Sequence, residues 1–107
     1  MPRYLIRVSY TPEAWATMVR NPQNRREAIR PVIEALGGKL EAFHFAFGEE
    51  DAFIIADMPD NVSAAAIGMA ATAGGAVKSY TTTVLMTVEE AMEAMRKAKD
   101  AAYRPPA

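Results

Sequence analysis

The stretch Phe43-His-Phe-Ala-Phe-Gly-Glu-Glu-Asp-Ala-Phe-Ile-Ile-Ala-Asp-Met-Pro-Asp60 decides the fold. Two apolar runs flank the short polar turn Gly48-Glu49-Glu50-Asp51, and Pro59 ends the second run. In the first run phenylalanines alternate with smaller residues, and this period of two is typical of a strand. The second run is apolar almost throughout, as expected of a strand that is covered on both faces. The stretch therefore predicts a β-hairpin that leads into a helix.

On the N-terminal side of this hairpin the sequence predicts a strand and a helical crossover. Residues 3–10 are rich in Tyr, Leu, Ile and Val, which favours a strand. Thr11-Pro12 is a typical helix start. A second helical stretch runs over residues 25–36 and stops at Gly37-Gly38. Since Pro31 conflicts with an unbroken helix, we expect a kink or a boundary just before it.

On the C-terminal side the pattern continues with a helix, a strand and a further helix. Thr87 and Glu90 have the spacing of a capping box, which marks the start of the last helix. The elements predicted from the hairpin onward are strands at 39–47, 52–58 and 77–86 and helices at 61–73 and 88–102. The order β-α-β-β-α-β plus one helix predicts an α+β domain of ferredoxin-like type. In that arrangement a four-stranded antiparallel sheet carries two helices on one face.

The chain reads as a single domain over residues 1–107, in which 1–86 form the core, 87–102 the added helix and 103–107 a tail. The third and fourth strands are too apolar for their second face to meet water. A second subunit is the simplest cover for that face, so we expect a homodimer or a higher homo-oligomer. The added helix could serve instead, or clasp the partner.

Composition narrows the class of protein. The net charge of −1 gives no electrostatic case for binding nucleic acid or an anionic membrane surface. With no cysteine there are no disulfides or thiolate metal sites, and the start of the chain does not resemble a signal peptide. No apolar run approaches the ~20 residues that span a bilayer. We therefore expect a cytoplasmic protein with no cofactor. We also expect no metal site, because one histidine cannot build a multi-histidine centre.

The chain resembles the GYD-domain family of small dimeric α/β-barrel proteins. The resemblance lies in residues 2–13, in residues 26–40, and in the hairpin with its Pro59-Asp60 end. The family is named for a Gly-Tyr-Asp triplet at this hairpin, and here Glu50 stands where the aromatic residue would be if Asp51 is the matching acid. No role of that aromatic residue can therefore be carried over. The resemblance implies βαββαβ subunits whose sheets pack face to face into a barrel, and it implies little about function.

Two residues are candidates for acid–base or anion chemistry. His44, the only histidine, is the first candidate for a catalytic acid–base group, because its ordinary pKa lies near neutrality. By alternation it points away from the neighbouring phenylalanines and lies between two alanines, which leaves room for a ligand. Arg7 interrupts one face of the first strand and is suited to bind a carboxylate in bidentate fashion. The alternatives are an interface histidine bonded to a carbonyl or water, and a salt bridge from Arg7 to Asp57 or Glu41.

Four further residues are candidate ligand contacts. Tyr4 and Tyr80 could orient a ligand through their hydroxyls, although isolated aromatics more often serve in packing. Asp51 could face a ligand or pair with His44, but an aspartate that closes a turn more often accepts backbone N–H bonds. Asp57 lies in an apolar strand and needs a partner if it is buried.

Three functions remain open from the sequence. The leading hypothesis is an oligomeric module that binds a small, partly apolar molecule between sheet and helices. The first alternative is a cofactor-free proton-transfer enzyme, similar to an isomerase or oxygenase, with His44 as acid–base group and Arg7 as anion clamp. The second is an oligomeric scaffold or interaction module.

Overall fold

The computed structural model describes all residues from 1 to 107 and contains four strands and four helices. The strands are β1 (Arg3–Tyr10), β2 (Lys39–Phe45), β3 (Ala52–Asp57) and β4 (Val77–Leu85). The helices are α1 (Pro12–Arg20), α2 (Arg25–Ala35), α3 (Asn61–Ala73) and α4 (Val88–Asp100). None of these helices is both long and apolar enough to cross a membrane.

The strands form one sheet in the order β2-β3-β1-β4, and every neighbouring pair is antiparallel. Helices α2 and α3 lie on one side of it and bury Ile33 and Ile67 there. This is the ferredoxin-like arrangement that the order of elements predicts. The α+β fold class is confirmed.

The core lies between the sheet and these helices. On β1 every second side chain, from Tyr4 to Tyr10, is buried on this side. On β3 the buried positions alternate in the same way, with Ile54 among them. The alternation follows from the period of two along a strand, and it gives the sheet one dry face.

Pro31 does not end or divide its helix, so of the predicted kink or boundary the boundary is wrong. Helix α2 begins after its cap Asn24, whose side chain accepts a bond from the Glu27 N–H, and continues through Pro31 to Ala35. Pro31 is exposed, while Ile33 of the same helix is fully buried. Packing of the apolar side against the sheet therefore holds the helix together despite the backbone bond that proline cannot donate.

The central hairpin is confirmed, but its first strand is shorter than the alternation predicted. Strand β2 ends at Phe45, and the bond from the Ala46 N–H to the Asp51 carbonyl, 2.8 Å, closes the turn. Phe47 therefore lies in the loop with its side chain fully exposed. The alternating aromatic pattern therefore continues past the end of the strand, because Phe45 is the last residue of β2 that pairs with β3.

The second side of the sheet has no helix over it. Helix α4 leaves the end of β4 without burying any of its residues, and the chain has a radius of gyration of 17.2 Å. A compact chain of this length has a radius of gyration of about 13 Å. The molecule is thus a two-layer domain with one uncovered sheet face and one projecting helix.

Candidate functional site

The uncovered side of the sheet, here called the open face, carries Leu5, Arg7, His44, Phe53 and Ile55. Strand register places these residues in rows that cross the sheet. One row is apolar, because Leu5 lies opposite Ile55. In the next row Phe53 lies opposite Arg7 on one side and opposite His44 on the other. Thr81 of β4 completes this row on the far side of Arg7. Adjacent strands are about 4.8 Å apart, so the backbones of Arg7 and His44 are roughly 10 Å apart with Phe53 between them.

Arg7 lacks the salt bridge that the sequence left open for it. The register pairs Asp57 with Arg3, whose Nε and Nη2 donate to the two carboxylate oxygens at 2.8 Å and 3.1 Å. The hydrogen bond from Arg3 lowers the pKa of Asp57, and Glu41 lies 3.8 Å from the same guanidinium. Arg3 thus takes both acids that were candidate partners of Arg7.

The Arg7 side chain is left half-buried, and its Nε is buried without a hydrogen-bond partner. Buried N–H groups of a guanidinium are almost always bonded, because losing water without a replacement acceptor is costly. Arg7 therefore carries a donor on the open face that its own chain leaves unsatisfied.

His44 is exposed and makes no side-chain hydrogen bond within the chain. No carboxylate orients its ring, and Asp51 is engaged elsewhere. The open face therefore brings His44 and Arg7 together as neighbours of Phe53, without the third group that commonly orients a catalytic histidine.

Asp51 has the structural role that turn chemistry favours. Its Oδ2 accepts bonds from the Tyr10 N–H at 2.9 Å and from the Trp15 indole N–H at 3.2 Å. The carboxylate thereby ties the end of the hairpin to β1 and α1. At the neighbouring position, the Oε2 atom of Glu50 lies 3.5 Å from the Ser9 hydroxyl.

Tyr4 and Tyr80 lie on the helix side of the sheet, away from Arg7 and His44. The Tyr4 hydroxyl donates to the Asn61 side chain. The Tyr80 hydroxyl is buried beside Thr82 but makes no hydrogen bond of good geometry, and burial raises the pKa of Tyr80 to about 12. Its ring lies against Gly68, where a Cβ atom would approach Cε1 to 2.7 Å. Gly68 thus permits close packing of α3 against Tyr80 of β4.

A cavity does exist between sheet and helices, where the sequence placed the ligand, but it is small. Its volume is about 50 Å³, and its lining is apolar apart from Arg25. Sites for small molecules commonly measure ~300–1,000 Å³. Of the predicted contact residues only Tyr80 lines this cavity. This enclosed cavity is therefore smaller than a usual small-molecule site. A more open cleft of about 560 Å³ lies between α3 and β4 and also has Tyr80 in its lining.

Phe53 and Ile55 are the residues that sequence reasoning missed as site candidates. Both are half-buried on the open face, although no helix covers them. The signal was present in the nearly unbroken apolar run of β3, which predicts two covered faces. The place of Phe53 between Arg7 and His44, and of Ile55 beside Leu5, depends on strand register, which the run does not specify.

Comparison with known proteins gives a family and a distant structural likeness. No curated protein matches the sequence. Among solved structures the chain is similar to the NE2512 protein of unknown function from Nitrosomonas europaea, with 19% sequence identity and a TM-score of 0.43. That match covers 81% of this chain and 90% of the other. The family model described as the GYD domain matches residues 4–95, which is most of the chain. The chain therefore belongs to the GYD domain family.

Proposed function

We propose that the open faces of two copies of this chain meet and enclose a site for a small, partly apolar carboxylate. Arg7 holds the carboxylate group, and His44 lies at the far side of the same site. The observation that supports this most is the buried Nε of Arg7, which has no hydrogen-bond partner although Phe53 and Thr81 lie opposite Arg7 on the two neighbouring strands. A guanidinium binds a planar carboxylate through two parallel bonds.

The apolar half of the proposed ligand is matched by the neighbouring row. Leu5 and Ile55 lie opposite each other, and Phe53 fills the space between Arg7 and His44. A ligand with an aromatic or branched body would bury surface against these side chains, while its carboxylate reaches Arg7. Enclosure by a second copy excludes water and thereby strengthens the ion pair.

Benzoate and benzamide form a matched pair of probes for this proposal. They share shape and ring, but only benzoate carries a charge. We expect benzoate to shift the NMR signals of the Arg7 Nε–H and of the His44 ring, and benzamide to shift them far less. Arg7→Gln should weaken benzoate binding about tenfold or more, since a charged hydrogen bond contributes ~1.5–3 kcal/mol.

Arg20→Gln is the control for the overall charge of the protein. Arg20 is exposed in the last turn of α1 and is not one of the residues of the open face. This variant should leave benzoate binding unchanged. Equal binding of the two probes, or full affinity in Arg7→Gln, would show that the site is not an anion site. Association without any ligand effect would favour the scaffold alternative.

The same row supports one alternative function, a cofactor-free enzyme that transfers a proton on a small carbonyl or carboxylate compound. His44 would act as the acid–base group roughly 10 Å from the Arg7 clamp. Pyruvate in D₂O is a suitable probe, because exchange of its methyl protons is visible by ¹H NMR. The enzyme alternative expects exchange that His44→Ala abolishes. If exchange stays at the rate of buffer alone, the binding module remains the better account.

A further inference from the structure

A cleft lined by aromatic rings lies beside the turn of the central hairpin, next to α1. Its volume is about 600 Å³, and its lining consists of Trp15, Phe45, Ala46, Phe47, Gly48 and Asp51. The three aromatic residues of this lining are exposed, and Phe47 is fully so. An exposed group of large apolar side chains commonly marks a binding surface. The cleft, here called the aromatic cleft, is on the helix side of the sheet, because Phe45 lies opposite the buried Ala52.

The two inner rings of the aromatic cleft are held in place by their neighbours. The Trp15 indole N–H donates to Oδ2 of Asp51 at 3.2 Å, and the buried Tyr10 ring packs edge-on against the indole with centroids 5.6 Å apart. The Phe45 ring is supported by Phe43, at a centroid distance of 5.4 Å. Two walls of the cleft are therefore formed before any ligand arrives, which lowers the ordering cost of binding.

The spacing of these two rings suits a cation. The Trp15 and Phe45 centroids are 6.2 Å apart, and their ring planes are inclined at 50°. A positive charge that interacts with the face of an aromatic ring lies within ~6 Å of the ring centroid. A charge above the gap can meet this limit for both rings at once. Phe47 supplies a third ring at the rim of the same cleft.

The charge of the aromatic cleft also favours a cation. Asp51 is the only charged residue of the lining, and Glu49 and Glu50 precede it in the same turn. The hydrogen bonds that the Asp51 carboxylate accepts from the Tyr10 and Trp15 N–H groups both end on Oδ2, so Oδ1 is left without one. The faces of aromatic rings carry negative charge as well. Rings and carboxylate together therefore attract cations and repel anions.

The lining indicates which class of cation fits. A bound Ca²⁺ ion takes about 6–8 oxygen ligands, and one carboxylate cannot supply them. A primary ammonium is strongly hydrated and would lose water against apolar rings. A quaternary ammonium has no N–H group to satisfy, and its methyl groups bury apolar surface against the rings.

We propose that the aromatic cleft binds a small, free quaternary ammonium compound, whose charge lies between Trp15 and Phe45 and faces the Asp51 carboxylate. This site goes beyond the proposed carboxylate site and does not depend on it. Arg7 and His44 lie on the opposite side of the sheet, so each proposal can fail without the other.

Choline and 3,3-dimethylbutan-1-ol are a matched pair of probes, because they share shape and differ only in the charged nitrogen. Trp15 is the only tryptophan, so its fluorescence reports on the aromatic cleft directly. We expect choline at millimolar concentration to change this fluorescence in a saturable way, and its methyl NMR signal to move upfield through the ring currents. The neutral alcohol and sodium chloride of equal concentration should do neither.

Phe47→Ala should weaken choline binding about fivefold, because it removes one ring of the aromatic cleft. The variant should fold normally, since Phe47 is fully exposed. Tyr103→Ala is the matched control, because it removes an exposed aromatic residue of the tail and should leave binding unchanged. Asp51→Asn keeps an acceptor for the Tyr10 and Trp15 N–H groups and should lower the preference for choline over the alcohol.

Three results would overturn the proposal: no choline effect in the parent, equal effects of choline and the alcohol, or full choline affinity in Phe47→Ala. Binding to phosphatidylcholine vesicles without binding of free choline would replace the small molecule by a lipid surface. A lower mass of Phe47→Ala in sedimentation, with no choline binding by the parent, would instead make the aromatic cleft a contact between copies of the chain.

Discussion

Two tyrosines on the same side of the sheet differ in what their hydroxyls contact. Tyr4 is fully buried and donates to Asn61, whereas the hydroxyl of Tyr80 is buried without a partner. The sequence predicts both as strand aromatics but does not specify the environment of either hydroxyl. Whether a polar group is satisfied depends on the loop and helix residues that reach it, here Asn61 at the start of α3.

Replacing each of these tyrosines by phenylalanine should therefore give opposite results. Tyr4→Phe removes a hydrogen bond and leaves the Asn61 side chain with one partner fewer, so we expect a loss of about 1 kcal/mol in the free energy of unfolding. Tyr80→Phe removes a buried group that has no partner, and should be neutral or stabilising. Urea unfolding followed by Trp15 fluorescence measures both. A larger loss in Tyr80→Phe than in Tyr4→Phe would contradict the assigned contacts.

Alkaline pH should destabilise the fold through its buried tyrosines. Burial raises the pKa of Tyr80 to about 12 and also raises that of Tyr10 above its ordinary value of 10.0. Between pH 10 and 12 the unfolded chain loses phenolic protons that the folded chain keeps. The stability that is fully present below pH 10 is therefore lost as the pH rises toward 12. Urea midpoints across this range should fall, and the fall should be shallower in Tyr80→Phe. Parallel curves for the parent and the variant would argue against burial of this hydroxyl.

At the scale of elements, the sequence predicts the order and type of every strand and helix, because their apolar periods are distinct. It fails where tertiary contacts outweigh local rules. Packing of Ile33 carries α2 through Pro31, and β2 stops at Phe45 because Phe47 has no strand partner. It also cannot fix register, which decides that Arg3 and not Arg7 lies opposite Asp57. The sequence names Arg7 and His44 as candidates, but it does not give their relative placement or the position of Phe53 between them.

The capping box of α4 offers a test at this scale. The Thr87 hydroxyl accepts from the Glu90 N–H at 3.0 Å, and the Glu90 carboxylate accepts from the Thr87 N–H at 2.9 Å. Thr87→Ala should cost about 1 kcal/mol of helix stability. We expect a smaller far-ultraviolet helix signal with unchanged Trp15 fluorescence, because α4 is not part of the core. Thr72→Ala, an exposed change within α3, is the control and should leave the helix signal intact. Loss of the fluorescence signal in Thr87→Ala would show that α4 supports the domain itself.

At the scale of the whole molecule, the chain exposes more surface than a compact monomer. Its accessible surface is 7510 Å², while a folded monomer of this mass has roughly 5,900 Å². The excess is larger than the ~800 Å² that each partner contributes to a standard protein interface. Only 13 of 107 residues are buried, and apolar residues of β3 remain partly exposed on the open face. The projecting helix α4 and the uncovered sheet face both contribute to this excess of exposed surface.

Closure of the open face by a second copy is the central claim, and the mass in solution tests it most directly. Sedimentation equilibrium should compare the parent chain of 11.7 kDa with Ile55→Lys, which places a charge in the apolar row of the open face. We predict that the parent sediments at a multiple of its chain mass and that Ile55→Lys sediments at a smaller multiple while remaining folded by Trp15 fluorescence. A parent that sediments as a single chain, or a folded Ile55→Lys variant with the same mass as the parent, would contradict the claim.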